Sequence, residues 1–165
     1  ISVILVFIYL GFFLVNFPKG LLFLGDAGAY LSGFIVASIA IMLPIRHPDI
    51  SPWVSLLICS YPVIETIFSM IRKTKREKHS MINPDRVHLH MLIYRSISNI
   101  ISKKLYQQQF RNAITSLIIL GFPLLSGFLA ILFYRNLLLT FLSTTLIIIL
   151  YLSLYKKVSL NWQKK

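Results

Sequence analysis

The sequence predicts an all-α membrane protein: a polytopic bundle of about five spanning helices, with an amphipathic helix on the cytoplasmic side. Hydrophobic residues make up 56% of the chain and charged residues only 13%, and the mean hydropathy is +0.75. Soluble chains carry about 25% charged residues, so a soluble domain of this composition would expose much of its apolar surface. A bilayer supplies the apolar environment that the composition requires.

Five apolar stretches account for the predicted spanning helices. Each is close to the ~20 apolar residues that a spanning helix needs, and a helix satisfies its own backbone groups where lipid offers no partner. We place them at residues 1–17, 27–44, 53–71, 113–134 and 137–155, with a basic loop at 72–111. The chain is taken as a single membrane domain. Because it begins with an apolar Ile1, we expect it to be the C-terminal part of a longer protein.

The basic residues are clustered beside the apolar stretches. The formal charge is +12, with ten of the seventeen Lys and Arg between Arg72 and Arg111 and four more between Lys156 and Lys165. Loops of this kind stay on the cytoplasmic side of a membrane and are attracted to anionic headgroups. The charge therefore indicates a lipid bilayer as the partner and argues against nucleic acid.

Counting the crossings then places the remaining loops. With the basic loop inside, the third stretch begins outside and the second begins inside, so Asp26 is expected at the same face as the basic loop. We take that face to be the cytoplasmic side of the plasma (inner) membrane. Arg46 and Arg135 fall on the opposite side, and Asp49 is near enough in sequence to be a partner for Arg46.

Asp26 stands between Gly25 and the pair Ala27-Gly28, at the start of the second stretch. An aspartate here is typical of a helix N-cap, where it accepts hydrogen bonds from backbone N–H groups. It also suits Mg²⁺, which binds one or two carboxylates together with substrate phosphates, and the glycines let a diphosphate approach the backbone. The local residues leave both interpretations open.

Glu65 is the acidic residue inside the third stretch, three residues after Pro62. A charge near the bilayer centre costs about 2.5–3.5 kcal/mol on insertion scales, so Glu65 is expected to face the bundle interior or a wet cavity. Pro62 interrupts the helix, since it cannot donate to the carbonyl of Ile58. A position near the cytoplasmic interface, where the cost largely vanishes, is the alternative.

The densest polar pattern lies in the basic loop, from Asn83 to His90. Asn83 and Pro84 are typical of a helix N-cap and first turn, and the positive end of such a helix suits a phosphate. Arg86 adds a planar guanidinium that matches phosphate oxygens. An amphipathic cytoplasmic helix is predicted from an apolar stripe at Val87, Met91, Tyr94, Ile101 and Leu105.

His88 and His90 are two residues apart, which on a regular helix separates them by about 200°. Either the segment begins in an extended conformation or the two histidines have different roles. A surface position without a ligand is the simpler interpretation of such a pair. A zinc site is poorly supported, because no cysteine accompanies them.

At these residues the sequence resembles a known family, the polyprenyl-phosphate N-acetylhexosamine-1-phosphate transferases. The resemblance runs from about Leu22 to Arg95, with several motifs in the same order and at similar spacing. It is carried by residues 23–31 (Phe-Leu-Gly-Asp-Ala-Gly-Ala-Tyr-Leu), 51–53 (Ser-Pro-Trp), 61–66 (Tyr-Pro-Val-Ile-Glu-Thr) and 85–90 (Asp-Arg-Val-His-Leu-His).

The resemblance implies transfer of a sugar-1-phosphate from a UDP-sugar to undecaprenyl phosphate with Mg²⁺, or Mn²⁺ as the alternative, initiating a cell-surface polysaccharide. It implies Asp26 as the metal ligand, with His88 and His90 completing the catalytic set. Phe23 would stack on uracil. Substrate binding is further assigned to Gly25, Glu65, Asp85 and Arg86.

One departure from the family pattern concerns the missing N-terminal half, which carries paired aspartates in relatives. This chain lacks that half, so we expect it to be inactive alone and to need the missing half as a partner. The alternative function is a non-catalytic truncated membrane module that binds lipid phosphate or a partner subunit. A transporter is less favoured, because the sequence contains no inverted repeat.

Overall fold

The computed structural model describes residues 2–75, 87–104 and 110–163, and no strand occurs among them. The all-α prediction is confirmed. The helices are α1 (Ser2–Asn16), α2 (Gly25–Arg46), α3 (Trp53–Ile58), α4 (Ser60–Lys75), α5 (Leu89–Arg95), α6 (Ile97–Lys104), α7 (Arg111–Phe133) and α8 (Leu137–Gln163).

Three helices of the described part are long and apolar enough to cross a bilayer. They are α2, α7 and the Leu137–Leu160 portion of α8. The 15 residues of α1 extend about 22 Å at 1.5 Å per residue, which is shorter than the ~30 Å hydrocarbon core. The prediction of a polytopic membrane protein is confirmed, whereas the count of five spanning helices is not.

The predicted span at 53–71 is interrupted in the structure. α3 ends before Cys59, whose backbone angles (φ −86°, ψ 8°) depart from the helix, and α4 begins at Ser60. The cause is Pro62, which has no N–H to donate to the Ile58 carbonyl and whose ring crowds that carbonyl. In the first turn of α4 the missing N–H costs nothing, so the second helix forms readily.

The core lies where α8 packs against α3, α4, α5 and α7. α1 and α2 are peripheral, since neither contributes a buried residue, although the Tyr9 hydroxyl of α1 donates to Ser32 of α2. The buried apolar residues form one cluster: Val54, Leu57, Leu89, Leu92, Ile93, Phe122, Ala130, Ile147, Tyr151, Tyr155 and Val158.

The predicted amphipathic helix is wrong in its extent and in the face that it buries. It is divided into α5 and α6 at Ser96 (φ −104°, ψ −80°), and the described helix begins at Leu89 while Asn83 and Pro84 lie outside the described residues. Leu89, Leu92 and Ile93 are fully buried, whereas the predicted stripe is only half-buried in its described members. The reason is that α5 packs against both α7 and α8, and these two helices determine which of its faces is buried.

At the opposite end of the bundle, the turn after α2 is joined to the turn between α7 and α8. The Ser51 N–H donates to the Tyr134 carbonyl at 2.7 Å. Arg135 Nε lies 3.5 Å from Asp49 Oδ2, so the partner of Asp49 is Arg135 and not Arg46 as predicted. Both residues of this pair are exposed, and the pair therefore adds about 1 kcal/mol at most.

The arrangement predicts which loops share a membrane face. The residues after α1 line one pocket with Asn112 at the start of α7, so Lys19→Cys and Lys103→Cys in a Cys59→Ser background should be labelled from the same side by an impermeant maleimide. Pro48→Cys, at the other end, should be labelled only from the opposite side. Labelling of Lys19→Cys and Lys103→Cys from different sides would contradict the packing.

The packing of α5 predicts a large loss of stability for Leu92→Ala. Leu92 is 0% exposed, and truncating a buried leucine costs about 2–5 kcal/mol. The melting temperature in detergent should fall clearly below that of the unchanged protein. Ile100→Ala on α6 is the control, since Ile100 is 56% exposed; equal losses in both variants would show that α5 is not part of the core.

Candidate active site

Glu65 is the acidic side chain at which α4, α8 and the start of α5 meet. Its Oε1 accepts hydrogen bonds from His88 Nδ1 at 2.8 Å and from the Leu89 N–H at 3.0 Å. Its Oε2 accepts a hydrogen bond from the Tyr151 hydroxyl at 2.8 Å. The side chain is 12% exposed, which agrees with the expected position in the bundle interior, and three donors compensate a carboxylate that has lost most of its water.

His88 immediately precedes α5 and has extended backbone angles (φ −63°, ψ 151°), while its carbonyl accepts the Leu92 N–H at 3.0 Å. Because His88 is extended, the separation of about 200° expected on a regular helix does not apply to His88 and His90. Their rings stack with centroids 5.6 Å apart and planes 12° apart. Of the two alternatives left by the sequence, an extended start of the segment is the one observed.

A second set of contacts holds the backbone just before His88. The Tyr155 hydroxyl donates to the Val87 carbonyl at 3.2 Å and accepts a hydrogen bond from Arg72 Nη1 at 2.9 Å. The Arg72 guanidinium lies 5.5 Å from the ring centroids of both Phe68 and Tyr155. Side chains of α4 and α8 therefore both contribute to holding Val87 and His88 in place.

A cavity of about 800 Å³ opens between α5 and α7. Phe23, from the loop before α2, and His90, from α5, line the same cavity. Its polar lining includes Arg95 and Asn112, and the remaining lining residues include Tyr94, Ile119, Leu120 and Pro123. The loop that leads to Asp26 and the histidine segment, which are far apart in sequence, thus both contribute lining residues to one cavity.

Tyr94 is held in this wall by α7. Arg111 Nη2 donates to the Tyr94 carbonyl at 2.9 Å, and the guanidinium carbon lies 4.1 Å from the centre of the Tyr94 ring. A cation at this distance from an aromatic face is attracted by it. The first turn of α7 therefore supports the cavity wall.

Asp26 lies in the first turn of α2 and is exposed. The N-cap interpretation is wrong, because the N-cap residue is Leu24 and no side chain caps the helix. Gly25 has a φ of +70°, a left-handed conformation that glycine adopts without strain. The turn at Gly25 therefore places Asp26 at the N-terminal end of α2.

The described residues contain no group of three or more His, Cys, Asp and Glu side chains that could hold a metal ion. A single exposed carboxylate such as Asp26 fits Mg²⁺ in the mode that relies on substrate phosphates for its other ligands. Asp85 and Arg86, both predicted as substrate-binding, lie outside the described residues. Their roles stay predictions.

Sequence reasoning missed Tyr151 and Tyr155, which supply hydroxyls to the site from α8. They are four residues apart in a predominantly apolar helix, so they lie on one face. Two such tyrosines in a spanning segment were a usable signal of a polar partner. The partner could not be named, since nothing local relates α8 to Glu65.

Fold and site together define a class: a helical membrane protein in which His90 and Phe23 line a ligand-sized cavity at one end of the bundle. Residues 1–44 match the family model described as Glycosyl transferase family 4. Several curated sugar-phosphate transferases that act on polyprenyl phosphates are also similar to the chain. The family resemblance drawn from the motifs is confirmed.

Three of these relatives illustrate the similarity. The undecaprenyl-phosphate alpha-N-acetylglucosaminyl 1-phosphate transferase of Haemophilus influenzae is 35% identical over 81 residues, which are 48% of this chain and 22% of that protein. Its counterpart in Escherichia coli is 41% identical over 78 residues, 45% of this chain and 20% of that protein. The decaprenyl-phosphate N-acetylglucosaminephosphotransferase of Mycolicibacterium smegmatis is 31% identical over 102 residues, 54% and 25%. The matched region spans a fifth to a quarter of these relatives, and no solved structure matches the chain.

The environment of His90 predicts a pH-dependent stability. Burial lowers the pKa of His90 below its ordinary value, the Glu65 carboxylate opposes this shift, and His88 adds to it. In the unfolded chain an imidazole takes up its proton near pH 6.5, so unfolding binds protons below that pH and stability falls as the pH falls. His90→Gln should reduce the drop in melting temperature between about pH 7.5 and about pH 5.5.

The matched control for this prediction is His47→Gln, which changes an exposed histidine at the other end of α2. It should keep the full pH dependence of the melting temperature. An unchanged drop in His90→Gln would show that charging of His90 does not contribute to acid destabilisation.

Proposed function

We propose that this chain forms part of a phosphoglycosyl transferase that moves N-acetylhexosamine 1-phosphate from a UDP-sugar to undecaprenyl phosphate, initiating a cell-surface polysaccharide. The observation that carries the proposal is that Phe23 and His90 line the same cavity. Each belongs to a different motif of the resemblance, and a transferase needs both motifs at one site. The names of the relatives support the polyprenyl-phosphate acceptor.

The residues divide between the two substrates by their chemistry. In the proposal, Phe23 stacks on the uracil of the donor, and His88 and His90 face the diphosphate. When bound at Asp26, Mg²⁺ supplies neutralisation of the diphosphate charge, which favours attack by the lipid phosphate. The mixed polar and apolar lining of the cavity suits an amphipathic substrate, which has a charged head and a long hydrocarbon tail.

The charge distribution supports placing the site at the cytoplasmic face of the plasma membrane. Lys73, Arg95 and Lys103 lie at the C-terminal ends of α4, α5 and α6, and Lys156 lies in the C-terminal part of α8. Arg95 lines the cavity together with His90. Basic residues next to spanning helices remain on the cytoplasmic side. The same residues raise the local concentration of anionic substrates.

The proposal predicts that Asp26→Asn abolishes Mg²⁺-dependent release of UMP from a UDP-sugar and undecaprenyl phosphate. The amide keeps the size of the side chain and removes the charge that holds the cation. Release of UMP should be measured in native membranes with the whole transferase of which this chain forms part, over a range of Mg²⁺ concentrations. A loss of at least about 100-fold is expected, as for other single groups that stabilise charge in a transition state.

Asp49→Asn is the matched control, because Asp49 is an exposed carboxylate at the opposite end of the bundle. It should leave UMP release unchanged. Full turnover in Asp26→Asn would remove Asp26 from the mechanism. An unchanged protein that binds undecaprenyl phosphate but releases no UMP would instead favour the non-catalytic membrane module.

A further inference from the structure

We propose that Glu65 and Tyr151 are positioning residues, which act through His88 by holding its imidazole in one tautomer and one orientation beside the ligand cavity. The inference rests on the proposed function and deepens it. It assigns a role to α8 and gives Glu65 a different task from the substrate contact predicted from the sequence.

The Glu65 carboxylate is engaged by the protein itself. An ionised carboxylate only accepts hydrogen bonds, and Glu65 receives one from His88, one from the Leu89 N–H and one from Tyr151. These three donors come from two separate parts of the chain and converge on a side chain that is 12% exposed. Glu65 is therefore placed to orient the protein and has little surface left for a substrate.

The contact determines which nitrogen of His88 carries the proton. Because Glu65 can only accept, Nδ1 of His88 must donate across their 2.8 Å separation, and Nε2 is left as the nitrogen that accepts in the neutral ring. The Leu89 N–H binds the same carboxylate oxygen, which fixes the backbone next to the ring. These two contacts thereby fix the tautomer of His88 and the orientation of its ring.

The ring of His90 joins this pair to the cavity. It stacks on His88 at 5.6 Å between centroids and also lines the cavity together with Phe23. A change at Glu65 is thus transmitted to the cavity through two stacked rings. Since Glu65 itself is not among the cavity-lining residues, its effect on a ligand there is indirect.

Tyr151 fixes the carboxylate from the other side. Its side chain is 0% exposed, and its ring packs against Tyr61, Phe68 and Phe122 with centroids 6.3, 5.9 and 6.1 Å apart. These three rings hold the ring of Tyr151 in place, with its hydroxyl hydrogen-bonded to Glu65 Oε2. α8 therefore controls the orientation of Glu65, and through it that of His88.

The first arm of the test is kinetic and uses the whole transferase, of which this chain forms part, in native membranes. Glu65→Gln and Tyr151→Phe should lower kcat for UMP release while KM for the UDP-sugar changes little. Hydrogen-bond partners of metal-ligating histidines contribute about 10- to 100-fold. We expect a loss in the same range for Glu65→Gln and a smaller loss for Tyr151→Phe. A raised KM with an unchanged kcat would overturn the proposal and return Glu65 to direct donor binding.

Matched controls separate positioning from general damage. Thr66→Val changes an exposed neighbour of Glu65 whose hydroxyl donates only to the Pro62 carbonyl of its own helix. Tyr134→Phe removes a tyrosine hydroxyl at the opposite end of the bundle. Both variants should retain the kcat of the unchanged protein.

The second arm is independent of catalysis. Solid-state NMR of the protein with isotope-labelled histidine, assigned by comparison with His88→Gln, should show the proton of neutral His88 on Nδ1. Glu65→Ala should shift the proton to Nε2 or produce a mixture, and Tyr151→Phe should broaden the Nδ1–H signal. A proton on Nε2 in the unchanged protein would overturn the positioning role. Absence of UMP release with the Nδ1–H signal intact would refute the proposed function alone.

Discussion

The arrangement of the site depends on one buried carboxylate. Glu65 lies in a helix surrounded by apolar neighbours, where an uncompensated charge would be expensive. The fold compensates it with the hydrogen bonds from His88, Leu89 and Tyr151. Because these donors belong to the histidine segment and to α8, satisfying the charge also fixes where both elements lie relative to α4. The requirement of one side chain therefore organises three parts of the bundle.

The interruption between α3 and α4 places Glu65 on a helix separate from α3. Pro62 removes a backbone hydrogen bond and separates a short helix at one end of the bundle from the helix that carries Glu65. The histidine segment enters against that second helix, and the Tyr155 hydroxyl on α8 bridges Arg72 and the Val87 carbonyl. The polar groups of the candidate site are thus grouped at one end. At the other end the connections are a few turn contacts, such as those of Asp49 with Arg135 and of Ser51 with Tyr134.

The places where sequence reasoning succeeded share a physical cause. Composition and run length are one-dimensional properties, and lipid restricts the backbone to helix, so α2, α7 and α8 follow closely from the apolar stretches. The interior position of Glu65 follows from the cost of a charge in lipid. Sequence reasoning failed where the tertiary neighbours of a residue determine its burial or its partner. The apolar stripe of α5 was misassigned because Leu89 and Leu92 are the residues buried by α7 and α8. Asp49 was paired with Arg46, which is nearer in sequence, and its partner in the structure is Arg135. The Asp26 cap was wrong because the helix begins two residues earlier, at Gly25, with Leu24 as the N-cap residue.

By itself, the sequence determined that the chain is a helical membrane protein and which family it resembles, since apolar run length, charge bias and motif order need no knowledge of contacts. Only the tertiary structure decided that His88 is extended and stacked on His90, that Glu65 holds it, and that Phe23 reaches the same cavity. The last two relations join residues more than 20 positions apart, Glu65 with His88 and Phe23 with His90. They arise from the packing of whole helices, which local patterns do not encode.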